Sequence, residues 1–366
     1  MKTRKLRFLA AAAALLFLTV FKLNGQNTSN QKDWMENIAS RISYNGYAQG
    51  GFDVREQGGN YYQAGHFYNT FAMRRVIIWI QADITERWSF RIMNNFSGGL
   101  LEYYTDLRLT GDSAVNLRLG QFKNSFSLEN PLSPSAVELV DVCSQPVTLL
   151  AGCNDPLLGA QTGRDLGAML FGDVLGGKLH YELALMNGQG INVRDGNNYK
   201  DVIVKLEGRP LDGIRVVASA QKGRGHAIGL AAWNPGISIG EDYTRDRLSV
   251  GGEYKTGAYA ASKYTDVRPI SLRGEFLAGR DGEVASQGAY LTGCVPIVSG
   301  IDAVASIDWL CRNTADHDWD QTNLMLGLQY WFYKKCRLQL QYTRNFCGEI
   351  IAPDQSILQT QFQVAF

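Results

Sequence analysis

The feature that most constrains this chain is an alternation of period two that returns in segment after segment. In the last segment, Leu358, Thr360, Phe362, Val364 and Phe366 fall on one face and Gln359, Gln361 and Gln363 on the other. One segment earlier, Leu338, Leu340 and Tyr342 oppose Arg337, Gln339, Gln341 and Thr343. Before that, Leu324, Leu326, Leu328, Tyr330 and Phe332 share a side. Such a period belongs to β-strands with one apolar and one polar face. The runs are about ten residues long, as a tilted strand needs to cross a bilayer, whereas strands of soluble sandwiches are typically ~5–6. Lipid offers no hydrogen-bond partner to an open sheet edge, so strands of this kind must close on themselves. The predicted fold class is therefore all-β, a closed antiparallel transmembrane β-barrel.

Sixteen segments carry the pattern: 41–54, 66–84, 88–96, 100–109, 115–122, 164–171, 178–187, 198–207, 214–222, 246–255, 270–277, 287–296, 301–310, 323–332, 337–345 and 357–366. Short connections (85–87, 110–114, 172–177, 208–213, 297–300, 333–336) alternate with long ones (55–65, 123–163, 188–197, 223–245, 311–322, 346–356). This is the asymmetry between periplasmic turns and external loops. Connections 96–99 and 256–269 break it, which leaves 14 or 18 strands open. Tyr330, Trp331, Phe332, Tyr333 and Trp88 sit beside turns, where aromatic girdles form. Charged residues make up 19% of the chain, below the ~25% usual for soluble proteins. Mean hydropathy is only −0.17, which argues against a helical membrane protein.

The N-terminus reads as an address. Met1 to Arg7 is basic, Phe8 to Phe21 is apolar, and a polar exit follows. These are the three regions of a secretory signal peptide over 1–25, with cleavage expected near Gly25 and Gln26. A periplasmic segment, 26–40, then precedes a barrel over 41–366. Without the leader, 31 Lys and Arg stand against 35 Asp and Glu. No basic face for nucleic acid is expected. Export points to the outer membrane of a Gram-negative bacterium, with outer-membrane lipid as the surrounding partner.

Three stretches carry a family resemblance. Leu117-Arg118-Leu119-Gly120-Gln121-Phe122-Lys123, followed by Phe126 and Glu129, resembles the GQFK stretch of the porin O and P family, the phosphate-selective porins. Gly163-Arg164-Asp165-Leu166-Gly167 and Leu185-Met186-Asn187-Gly188-Gln189-Gly190 resemble two later strand ends of that family, in its order. The C-terminal Phe366, with Val364 and Phe362, resembles the signal read by the barrel-assembly machinery. The resemblance implies sixteen strands, a homotrimer, and passive diffusion of small hydrophilic solutes and ions, with phosphate among them. It also implies that 123–163 folds inward as a constriction loop.

Lumen-facing charges set selectivity in such a pore. The alternation sends Arg75, Arg91, Arg108, Arg118, Lys205, Arg215, Lys255, Arg273 and Arg337 inward. With them go Asp83, Glu102, Asp106, Glu182, Glu207, Glu253, Glu275, Asp302 and Asp308. The signs balance, so anion preference does not follow from the whole wall. One stripe is biased: Arg91, Arg108, Arg118, Lys123 and Arg164 lie on neighbouring strands and are the candidate anion contacts. Cys143 and Cys153 can close a small ring in an oxidising compartment, and Cys311 can reach Cys347 at the external side. No pair has CxxC spacing, so no metal site and no cofactor are expected. Asp316-His317-Asp318 offers thin support for a barrel enzyme. A barrel whose loops bind a receptor, surface or partner is the alternative to a pore.

Overall fold

The computed structural model describes residues 40–56, 67–140, 143–159, 161–256, 269–348, 350–351 and 354–366. The expected leader 1–25, nearly all of 26–40, most of connection 55–65 with the first residue of segment 66–84, and most of connection 256–269 lie outside them. The barrel unit is Tyr44–Phe366. Its strands are β1 Ile42–Glu56, β2 Phe67–Thr85, β3 Trp88–Asn95, β4 Gly99–Arg108, β5 Asn116–Lys123, β6 Arg164–Val174, β7 Leu179–Met186 and β8 Asp201–Gly208. There follow β9 Ile214–His226, β10 Asp242–Lys255, β11 Ser271–Asp281, β12 Val284–Val298, β13 Ile301–Cys311, β14 Asp320–Tyr333, β15 Cys336–Cys347 and β16 Gln355–Ala365.

Spatial order follows chain order, and β1 pairs antiparallel with β16 from Tyr47↔Ala365 to Arg55↔Ile357. The sheet is a closed sixteen-stranded barrel, which excludes the counts of 14 and 18. Closure at this seam needs a small residue. A Cβ on Gly51 would stand 1.8 Å from the Thr360 carbonyl oxygen.

Burial is inverted relative to a water-soluble protein. Leu326, Leu328, Tyr330, Leu338 and Phe362 are exposed on the outer wall, while Gln341, Gln361, Gln363 and Arg337 are buried inside it. Arg337 is 0% exposed. Its guanidinium donates to Gln329 Oε1 at 2.7 Å and the Val137 carbonyl at 2.7 Å. Neighbouring glutamines bond in a ladder: Gln49 to Gln363 at 2.7 Å, Gln361 to Gln339 at 2.6 Å. Burying polar groups costs little only where hydrogen bonds replace water, and the side-chain ladder supplies many of these bonds, though Gln49 Oε1 and Gln361 Oε1 accept none among the described residues. An outer apolar face of this breadth is stable only against lipid or another apolar surface.

Strands run further at one rim than the alternation shows. β9 continues to His226 and β10 begins at Asp242, so their connection is 227–241 rather than 223–245. β11 and β12 continue to a tight turn at Gly282-Glu283, where Gly282 takes φ +58°. Beyond the apolar belt the outer strand face is polar as well. A stretch such as Asp242-Tyr243-Thr244-Arg245-Asp246-Arg247 therefore extends the ladder without showing an apolar face.

Candidate functional site

The connection from β5 to β6, residues 124–163, turns into the barrel. Polar bonds fix it to the wall in sequence. Ser127 Oγ and the Leu128 amide donate to the Glu275 carboxylate, each at 2.8 Å. Gln49, Gln363 and Arg337 donate to the carbonyls of Pro134, Ser135 and Val137. Gln339 donates to the Glu138 carbonyl, and the Val140 amide to Gln341 Oε1. A one-and-a-half-turn helix, α1 Gln145–Leu150, then packs on β11, β12 and β13. The Gln145 amide donates to Asp308, and Arg247 donates to the Leu150 carbonyl.

Arg273 is the central fastening. It lies 3.4 Å from Glu129, 2.8 Å from Glu138 and 3.5 Å from Glu253. Burial pushes the Glu129 carboxyl up, with Arg273 and the Ser144 amide offsetting part of the rise. Burial acts on Glu138 as well, but there Arg273 outweighs it and holds the carboxyl below its usual range.

Apolar packing seats the same loop. Phe126, Val147 and Leu150 pack with Phe122, Met169, Met186, Ile203 and Leu277 of the inner wall. This seat was not anticipated. Its signal is the loss of alternation in Leu166-Gly167-Ala168-Met169-Leu170-Phe171 and Leu183-Ala184-Leu185-Met186, where both strand faces are apolar.

Polar bonds, with one from the Ser127 amide to Ser219 Oγ of β9, thus fasten the loop to β1, β9 to β11, β13, β15 and β16, its apolar seat reaches β5 to β8, and open space remains beside the β2 to β7 wall. A 510 Å³ cavity is lined by Trp79, Arg91, Glu102, Tyr104, Arg118, Lys123, Arg164, His180 and Glu182, with loop residues 131 and 133–135 opposite. A second cavity of 400 Å³ lies toward the rim that carries the loop and is lined by Arg75, Asn95, Cys143, Cys153 and Thr162. Lys123, Pro134 and Arg164 line both, so the two meet there.

Four of the five stripe residues, Arg91, Arg118, Lys123 and Arg164, are brought to this passage. Arg108 is not: it ends β4 at the opposite rim, exposed. Arg164 bonds Glu102 at 2.8 Å, and Arg91 stands 3.7 Å from the same carboxylate. Arg118 grips Asp106 with two bonds of 2.7 and 2.8 Å and lies 4.0 Å over the Tyr104 ring. Lys123 differs. Its ammonium donates to the backbone carbonyls of Asn130 and Leu132. Carbonyls orient a cation without cancelling its charge. His180 bridges Asp173 at 3.1 Å and Glu182 at 3.3 Å beside the passage.

The stretches behind the family resemblance meet in space. The Asp165 carboxylate accepts from the amides of Gly188 and Gly190, the latter at 3.2 Å, and so joins the base of the loop to the end of β7. Cys143 and Cys153 are thiols with sulfurs 3.7 Å apart. Their shared hydrogen bond raises Cys143 and lowers Cys153. Cys311 and Cys347 are also thiols, at the ends of β13 and β15 with β14 between them.

No protein-family model matches the chain, and no curated protein matches it. Solved structures do. The barrel is similar to the outer membrane channel DcaP of Acinetobacter baumannii, at 11% identity over 89% of this chain and 97% of that one, with a TM-score of 0.59. It is similar to OprB of Pseudomonas putida, at 10% identity over 91% and 97%, TM-score 0.62. It is also similar to OmpT of Vibrio cholerae, at 9% identity over 89% and 97%, TM-score 0.61. At these identities the likeness is one of fold. Fold and inward loop together define the class, a closed sixteen-stranded barrel of the fold seen in those outer-membrane channels.

Proposed function

We propose that the protein is an outer-membrane porin of a Gram-negative bacterium, exported by a signal peptide, 1–25, that is then cleaved. It passes small hydrophilic solutes and ions, anions such as phosphate ahead of cations. The observation that carries this reading is the position of Lys123 where the two cavities share their lining, backed by Arg164, Arg91 and Arg118. Glu102 and Asp106 neutralise much of the arginine charge, which leaves Lys123 as the excess positive group. One excess charge in a passage walled by protein favours anions moderately, not absolutely. The likeness to porin O and P stretches agrees with that preference. No chemical step and no cofactor enter the reading. A homotrimer is proposed with it; one of the similar structures is a trimer form of Vibrio cholerae OmpT. In an oxidising compartment Cys143 and Cys153 join and stiffen the loop.

The test is single-channel recording of the folded protein in a planar bilayer under a salt gradient. A reversal potential of anion-selective sign, with phosphate reducing chloride current, supports the reading. The dense fastening of the loop favours a second one, a plugged barrel that works through its rim loops. Absence of conductance from correctly folded protein would decide for that alternative.

A further inference from the structure

The connection between β13 and β14, residues 312–319, brings together three groups that the channel does not use. We propose that Cys311, His317 and Asp320 form a binding site for a divalent transition-metal ion of the zinc class at the loop rim. Cys311 closes β13 directly opposite Asp320, the first residue of β14, so the strand pairing fixes both side chains next to each other. The turn between them folds back as a short 3-10 segment, His317–Trp319, capped by the Asp316 carboxylate on the Asp318 amide. This returns the His317 ring over the pair, with Nδ1 3.2 Å from Asp320 Oδ2. Sulfur, ring nitrogen and carboxylate oxygen all lie within 4.8 Å of one another.

Coordination geometry favours an ion here. Tetrahedral zinc, with bonds of about 2.0–2.3 Å, holds neighbouring ligand atoms roughly 3.3–3.8 Å apart. The His317–Asp320 separation of 3.2 Å is within about 0.1 Å of that edge, and the Cys311 sulfur, within 4.8 Å of both, would have to close in by a side-chain rotation. Asp320 Oδ1 is buried and accepts no hydrogen bond among the described residues. The Cys311 thiol, itself buried, donates to the Asn313 carbonyl at 3.3 Å and lies within hydrogen-bonding reach of the Asp320 carboxylate. Thiolate with imidazole selects zinc-class ions over magnesium or calcium, which prefer oxygen alone. On binding, the sulfur–metal bond forms as the thiol proton passes to solvent, and the neutral ring gives its Nδ1 lone pair. Water completes the fourth position at this rim. The turn also leans on the β9–β10 connection, through Trp319 against Trp233 at 6.2 Å and Asn313 on the Trp233 carbonyl. A bound ion would therefore stiffen the mouth of the barrel.

A disulfide from Cys311 to Cys347 would consume the same thiol. Cys347 instead directs its sulfur to Asn345 Oδ1, on its own strand. The test uses the full folded protein with Co²⁺ as the probe and Zn²⁺ as competitor. The expected result is one equivalent of cobalt with thiolate-to-metal charge-transfer absorption, displaced by zinc. C311S should abolish that absorption, and H317A or D320N should weaken zinc binding by about tenfold or more. C347S and the C143S/C153S variant should keep it. Heat-modifiable mobility on gels checks that each variant is folded. If C311S fails to fold, H317A decides, because His317 is 73% exposed and bears no packing load. Absorption that appears only after reduction means the thiol is held in a disulfide and overturns the site. So does no absorption at all, or absorption that survives C311S and disappears in C143S/C153S.

Discussion

Charge counting at single residues ranks the cations of the passage, because partners differ more than positions do. Arg118 shares its charge with Asp106 through two short bonds, whereas Lys123 spends its donors on carbonyls. We predict that K123E lowers the anion-over-cation permeability ratio more than R118E does, read as the shift in reversal potential across a potassium chloride gradient. Equal shifts would mean that the field of the whole stripe, not Lys123, sets preference. Arg273 supports a second prediction. It faces three carboxylates, and R273M would leave them buried together without a cation. Breaking a buried pair on one side costs about 3–5 kcal/mol. The variant should unfold at lower denaturant and show larger, noisier current steps as 124–140 loses its fastening.

Strand pairing raises a sharper requirement at the level of elements. Gly51 sits where β1 passes closest to β16, and a Cβ there would meet the Thr360 carbonyl at 1.8 Å. G51V should fail to reach the compact, heat-modifiable form, while A48V, on the same strand but facing outward, should reach it. The strands themselves were readable because a wall between lipid and water must alternate, and all sixteen were found within a few residues. Legibility failed where that physical demand stops. β10 from Asp242 to Arg247 and the ends of β11 and β12 lie past the apolar belt and carry no period. The inner apolar seat escaped for the opposite reason, since Met169 and Met186 face a loop and not water. Of the site, the basic stripe was legible from register alone. Arg108 was misplaced because register gives the face of a strand and not the height along the barrel. What the loop covers was not legible, since irregular backbone has no period to read.

At the scale of the whole molecule, the loop divides the lumen unequally. Deleting 126–161 should enlarge conductance several-fold and weaken selectivity, measured on single channels. The same deletion would bare Phe122, Met169, Met186 and Ile203 to water, so the variant should also melt at lower temperature. A deletion that left conductance unchanged would mean that the narrow part lies elsewhere. The seam between the first and last strands has a further consequence. Gln49 meets Gln363 across 314 positions of sequence, and the wall has no gap-free form until that meeting happens. A chain cut short before β16 keeps two raw edges, on β1 and on β15, however well its other strands pair. Completion is therefore verified by geometry itself: a truncated copy remains sticky and open to proteolysis, while a full-length one seals and vanishes from quality control.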